Sequence, residues 1–325
     1  MKRILLALLL LAGPGLLFAD DPALVETIPD GVTPDPAQRA ILQSCATKVF
    51  LCKAGYDRDG NVRSLEFSNH GAFMPPGIED KAAYIATKPG LDDATFLQIQ
   101  KLPALKALRL LKQPLSDEAY AVLQTWPTLE AFCIEGHKGD NTGSFMRYIN
   151  GHPDLQWLEL KHLFGLDGTT VDELEAFPKL QRLELDNASA TAKALPFLAK
   201  NPQILDFELH RSNMTNEEIG QLVKSLPNLE RLALKPGGRG HFDQQALAHV
   251  ASLPNLKVFG FHHWKDDMFV WENGIEYLAE LPHLTSVEVP SKQWDLPAMK
   301  KLREAKPDLQ RAGKDIQVQF DYAAF

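Results

Sequence analysis

The sequence predicts an α/β solenoid, in which short parallel strands alternate with helices along one repeat array. Three observations predict it. First, prolines recur at Pro103, Pro127, Pro153, Pro178, Pro202, Pro227, Pro254, Pro282 and Pro307, at intervals of 24, 26, 25, 24, 25, 27, 28 and 25 residues. Second, an apolar template at relative positions 1, 4 and 6 begins two residues after each of the first eight prolines. Third, the stretches between templates carry helical apolar spacing and helix-start residues.

The templates run from Leu105/Leu108/Leu110 and Leu129/Phe132/Ile134 through Leu155/Leu158/Leu160, Leu180/Leu183/Leu185, Ile204/Phe207/Leu209 and Leu229/Leu232/Leu234. Leu256/Phe259/Phe261 and Leu284/Val287/Val289 complete the set. All 24 positions are apolar in a chain that is 45% hydrophobic, which chance does not produce. Val62/Leu65/Phe67 adds a copy without the proline, and the pattern fades at Leu309 and Ala312. Positions 4 and 6 alternate with 3 and 5, so each template reads as a short strand with one face inward.

The helices follow from the same register. Ile219, Leu222, Val223 and Leu226 fall on one helical face, and Thr215 with Glu218 spells a capping box. Thr170 with Glu173 spells another, while Ser116 and Asp243 are N-cap candidates for their own segments. Each recurring proline then ends a helix, because the residue before proline is pushed out of the α region.

With L-x-x-L-x-L repeated over roughly residues 60–310, the chain resembles a leucine-rich repeat protein, most like the ribonuclease-inhibitor-like type. The resemblance implies a curved horseshoe with a parallel concave sheet, convex helices, and protein or peptide recognition on the concave side. The family usually places Asn or Cys three residues past the last Leu. Here Gln113, His137, Leu163, Ala188, Ser212, Gly237, Trp264 and Lys292 stand there, so irregular turns are expected. Stacked repeats share one core, so about 300 residues form a single elongated domain. Nine strands give a sheet roughly 40 Å long.

The ends read differently. Lys2-Arg3, the apolar run Ile4–Phe18 and Ala19 fit a secretory signal peptide over 1–19. Residues 20–36, with Pro22, Pro29 and Pro34, read as a flexible lead-in, and 37–61 as an N-terminal cap with the turn Asp57–Gly60. Repeats fill 62–310. Residues 311–325 read as a closing strand through Ile316, Val318, Phe320 and Tyr322. The mature protein is therefore expected to be periplasmic or extracellular, with no stable membrane insertion after cleavage. Cys45 and Cys52 could pair across the cap in that compartment; three cysteines in all are too few for a disulfide framework.

The chain's 34 basic and 42 acidic residues give a net charge of −8, which argues against nucleic acid as partner. Strand positions 3 and 5 are expected to face outward and to carry function. In mid-array they bring Trp157, Glu159, Arg182, Glu184, Asp206, Glu208 and Arg231 side by side. Three glutamates in register repel one another, and an exposed Trp beside arginines is typical of interface hot spots. These residues, with His210, form a candidate patch for a protein or peptide of basic or mixed polar character. The alternative is a solvated face in which the arginines neutralise the glutamates. On this reading, Glu184→Lys with Glu208→Lys leaves the fold intact.

A second candidate surface is the loop 262–271, with His262, His263, Trp264, Phe269 and Trp271, beside the glycine-rich 235–241. It suits a glycan or peptide, or else folds back as a small satellite core. A metal set can be drawn from Asp186, Glu208, His210, His262 and His263, which would make a metal-dependent hydrolase. No H-x-x-x-H, H-E-x-x-H or paired C-x-x-C spacing supports it, so no metal, cofactor or catalytic residue is expected. Cys133 has no histidine at positions 3 or 5 of the neighbouring strands and reads as structural. The expected function is non-catalytic binding.

Overall fold

A computed structural model describes residues 16–18, 23–71, 79–136, 143–163, 168–186, 191–236, 245–261, 274–289 and 291–312. The fold is α/β, with a mostly parallel sheet and intervening helices. The described residues fall into two compact units, those up to 136 and those from 143 to 312. The same local plan recurs on both sides of that division.

The first unit holds β1 (Leu16–Phe18), β2 (Leu24–Thr27), β3 (Leu51–Tyr56), β4 (Val62–Ser68), β5 (Ala107–Leu111) and β6 (Ala131–Glu135). β1 pairs antiparallel with β2, and β3 with β4; the pairs β2–β3, β4–β5 and β5–β6 are parallel. β2 lies in the stretch expected to be a flexible lead-in. The reason is local: Leu24 is fully buried, and the equally buried Glu26 anchors the segment by accepting from Arg39 Nε at 3.1 Å and Tyr56 Oη at 2.6 Å. The helix Pro36–Ala46 starts at Asp35, whose Oδ1 accepts from Ala37 N at 2.8 Å, with proline preset at the first helical position. Gly60 has φ +82°, and a Cβ there would lie 2.3 Å from Thr33 O, so the turn into β4 requires glycine. Cys45 and Cys52 are both buried free thiols, not a disulfide, and burial pushes the Cys45 thiol up to about 12.

The second unit holds β7 (Trp157–Lys161), β8 (Arg182–Asp186), β9 (Asp206–Ser212), β10 (Arg231–Pro236), β11 (Val258–Phe261), β12 (Ser286–Glu288) and β13 (Gln310–Ala312). Each pairs in parallel with the next, and the register matches the template: Trp157↔Arg182↔Asp206↔Arg231↔Val258↔Ser286 at position 3, one row of partners after another. All 24 template positions are buried, the least so being Val289 at 7% exposure. The expected closing strand through Ile316–Tyr322 lies outside the described residues, of which the last strand is Gln310–Ala312.

The helical segments are short, many of them 3-10 turns. Asn216–Ser225 matches its expectation: Thr215 Oγ1 accepts from Glu218 N, and Glu218 Oε2 accepts from Thr215 N at 2.7 Å. Ser116 stands before the turns Asp117–Thr125, but its hydroxyl donates to Asp93 Oδ2 at 2.6 Å and caps nothing. Thr170 lies inside the helix Gly168–Asp172, not ahead of it. Asp243 lies outside the described residues. The residue before proline is non-helical wherever a helix stops there: Leu102, Trp126, Leu226, Leu281 and Lys306 have ψ of 86°, 74°, 63°, 115° and 83°.

In place of the Asn/Cys positions, neighbouring repeats are tied just before the proline. Trp126 Nε1 donates to Leu102 O at 2.7 Å, and Asn201 Oδ1 accepts from Phe177 N at 2.9 Å. Among the described residues at those positions, Gln113 accepts from Leu91 N at 3.0 Å and donates to Leu111 O at 2.9 Å, and Ser212 Oγ accepts from Met214 N at 3.1 Å.

Candidate functional site: a buried charge lattice on the sheet

The candidate patch forms where the sequence places it, but it is not an outward solvated surface. Positions 3 and 5 of β7–β10 do lie on the face opposite the leucines, and Glu159↔Glu184↔Glu208 stand in register. Trp157, Glu159, Glu184, Asp206, Glu208 and Arg231 are nevertheless buried. The physical reason is the next position along each strand. Alternation carries the same face on to position 7, which holds Lys161, Asp186, His210 and Lys235. Lys161, His210 and Lys235 close over the glutamates and remove them from water.

The lattice is continuous. Lys161 Nζ lies 2.8 Å from Glu159 Oε1 and 2.9 Å from Glu184 Oε1. His210 Nε2 is 3.0 Å from Glu184 Oε1 and also contacts Glu208 Oε1, which Lys235 approaches from the next strand. Arg231 binds three carboxylates: Asp206 Oδ1 at 2.7 Å, Glu208 Oε2 at 2.9 Å and Glu288 Oε1 at 2.7 Å. Glu288 reaches across β11 because Gly260 lies between; a Cβ there would sit 2.9 Å from Glu288 Oε2 and 2.8 Å from Ala233 Cβ. Arg182 stacks on Trp157, with Cζ 4.3 Å from the ring centroid, so the tryptophan expected to be exposed is roofed by a guanidinium. At the strand ends Asp186 accepts from Arg211 Nε at 2.8 Å and lies 3.5 Å from His162 Nε2.

Opposed effects set the protonation states. Burial raises the pKa of Glu184 and Glu208, but the hydrogen bond from His210 and the surrounding cations outweigh it and hold both below the usual carboxylate value. Burial lowers that of His210, but its bonds to the same two carboxylates outweigh burial and hold it above 6.5, favouring the imidazolium. Lys161 is likewise held in its charged form by Glu159 and Glu184 against its burial. Asp206 goes the other way: burial dominates, Arg231 and Arg182 only partly offset it, and its pKa rises.

Glu184, Glu208 and His210 bring three ligand-type atoms within 4.8 Å of one another. Two of those atoms already accept from the ammonium groups of Lys161 and Lys235. A divalent ion would therefore meet two cations and an imidazolium, a donor set that fits an ion-pair knot and not a metal. The metal set drawn from sequence also included Asp186, which is committed to Arg211, and His262 and His263. Those histidines lie outside the described residues with Trp264, Trp271 and the rest of the loop 262–271. In the first unit, Cys133 is buried with Arg109 Nη2 4.0 Å from its sulfur.

Sequence reasoning named His210 and Asp186 at position 7 but missed Lys161 and Lys235 in the same row, and His162 and Arg211 one step beyond it. Extending the alternation by one step would have found the two lysines. His162 and Arg211 stand at position 8 and share a left-handed backbone, φ +51° in each, with Lys112 at the equivalent place in the first unit. Non-glycine residues in that conformation are strained, and strain of this kind collects at functional sites. No protein-family model matches this chain, and no curated protein matches it.

Proposed function

We propose that this is an exported, non-catalytic binding protein of the leucine-rich repeat type, which recognises a protein or peptide partner on the lattice-bearing face of its sheet. The observation that carries the reading is the lattice itself. Of the twelve residues at positions 3, 5 and 7 of β7–β10, all but Trp157 and Ala233 are ionisable. Positions 1, 4 and 6 supply the apolar core without them. Buried ion pairs are often no more stable than apolar replacements, so such a concentration is best understood as serving recognition. The groups are tied to opposite charges in a fixed arrangement, which suits complementary binding better than proton transfer. Export rests on the basic and apolar N-terminus; among the described residues no helix is long and apolar enough to cross a membrane.

The test is site-specific photo-cross-linking of the full chain in cells. The photo-reactive residue replaces His162 or Arg211 on the sheet side, and Gln221 or Lys224 on the helix Asn216–Ser225 as controls. The expected result is one polypeptide attached from 162 and 211 and absent from 221 and 224. Adducts confined to the helix, or no polypeptide adduct, overturn the reading.

A further inference from the structure

We infer that this face takes an acidic protein segment, reversing the polarity that the row of glutamates suggests. The inference rests on the binding role proposed above and concerns the chemistry of the partner. It comes from the layering of the lattice, all of it within the second unit.

The acids form the floor. Side-chain exposure is 4% for Glu159, 4% for Glu184, 3% for Asp186 and 1% for Asp206. The accessible groups are cations or imidazoles: Lys161 at 25%, Lys235 at 23%, His210 at 21%, His162 at 31% and Arg211 at 44%. Among the described residues of β7–β10 and their ends, no acid on this face matches that exposure. A partner approaching the face therefore meets nitrogen donors first.

Two properties make this layer a receptor and not only a neutralised surface. Coulomb attraction falls with distance, so a partner carboxylate in contact with Lys161 or Arg211 lies one ion-pair length farther from the acids beneath them. The floor also holds the donors in place before binding, which reduces the ordering cost of long side chains. Lys161 spends two donors on Glu159 and Glu184, and an ammonium carries three. Arg211 keeps its Nε and Nη2 on Asp186, so it contributes positive charge at the rim of the face and not a free fork. A basic segment would meet like charge at contact and could reach no glutamate without breaking the lattice.

The test uses the full chain and two short labelled peptides, one rich in glutamate and one rich in lysine, followed by fluorescence anisotropy. The glutamate peptide is expected to bind, to weaken roughly tenfold at high salt, and to outbind the lysine peptide by a similar factor. His162→Gln with Arg211→Gln should weaken it severalfold, while Lys224→Gln on the helix leaves it unchanged. Because neutralising Arg211 disturbs Asp186, the wild-type protein is also coupled to the glutamate peptide with a carbodiimide and the junctions mapped. Junctions at Lys161 or Lys235 support the inference. Junctions only at other lysines, preference for the lysine peptide, or binding of neither peptide overturn it. A photo-cross-linked partner attached at 162 and 211 through a basic segment would sink this inference and leave the binding role standing. No partner at those positions would sink the role itself.

Discussion

The two faces of β7–β10 are both buried, yet by opposite chemistry. One face buries Leu158, Leu183, Phe207 and Leu232; the other buries Glu159, Glu184, Asp206, Glu208 and Arg231. Apolar burial depends on volume and tolerates conservative exchange, because dispersion and water release act in all directions. The charged face depends on pairing. Each carboxylate there is stable only while its cations stay in place, so a single change leaves uncompensated charge. The same strands thus carry a forgiving side and an exacting one.

The largest expected effect is on the exacting side. Glu184→Lys with Glu208→Lys would place two ammonium groups against Lys161, Lys235 and Arg231. Losing one partner of a buried pair costs about 3–5 kcal/mol, and a double reversal costs more, so cooperative unfolding should vanish. This replaces the expectation of an intact fold, which assumed outward glutamates. A melting curve close to wild type by circular dichroism would show that the lattice is not buried.

Leu183→Ala on the forgiving face comes next, at about 2–5 kcal/mol, the cost of a leucine-sized cavity. A midpoint loss in urea well below that range would mean the site collapses around the gap. Gly260→Val should follow at about 1–3 kcal/mol, because the added carbons meet Ala233 Cβ and displace Glu288 from Arg231. The comparison sharpens if Gly260→Val is combined with Glu288→Ala. The two losses should then fall short of additive, since both act on one ion pair; full additivity would separate them.

The contrast also explains what the sequence makes legible. Strand register, the apolar core and the proline stops follow from period and backbone sterics, and these are properties of single chains of neighbours. Leu183 can be placed from its own repeat alone. Glu184 cannot, because its burial depends on Lys161 one repeat earlier and His210 one repeat later, brought together only by the parallel pairing. Alternation extended to position 7 would have exposed the compensating row. The left-handed backbone at Arg211 and Lys112 has no such signal, since neither residue type favours it. Arg39, Glu26 and Tyr56 teach the same lesson at the N-terminus: an acidic, proline-bearing stretch becomes a strand because Glu26 finds Arg39 and Tyr56.

The smallest predicted effect concerns pH and separates the two faces most cleanly, because leucines do not titrate. Folding favours charged His210, whose pKa stands above 6.5, so its contribution is complete below that value and is lost as pH rises through the folded pKa. Glu184 and Glu208 stand below 4.5, so theirs is complete above that value and is lost as pH falls through their folded pKa values. Stability should therefore be greatest between those limits and decline gently on the alkaline side. His210→Gln should flatten the alkaline decline, while Leu183→Ala lowers the whole profile without changing its slope there. Thermal midpoints measured across pH 4–9 read both outcomes; an alkaline decline that persists unchanged in His210→Gln would show that the imidazolium does not hold the two glutamates together.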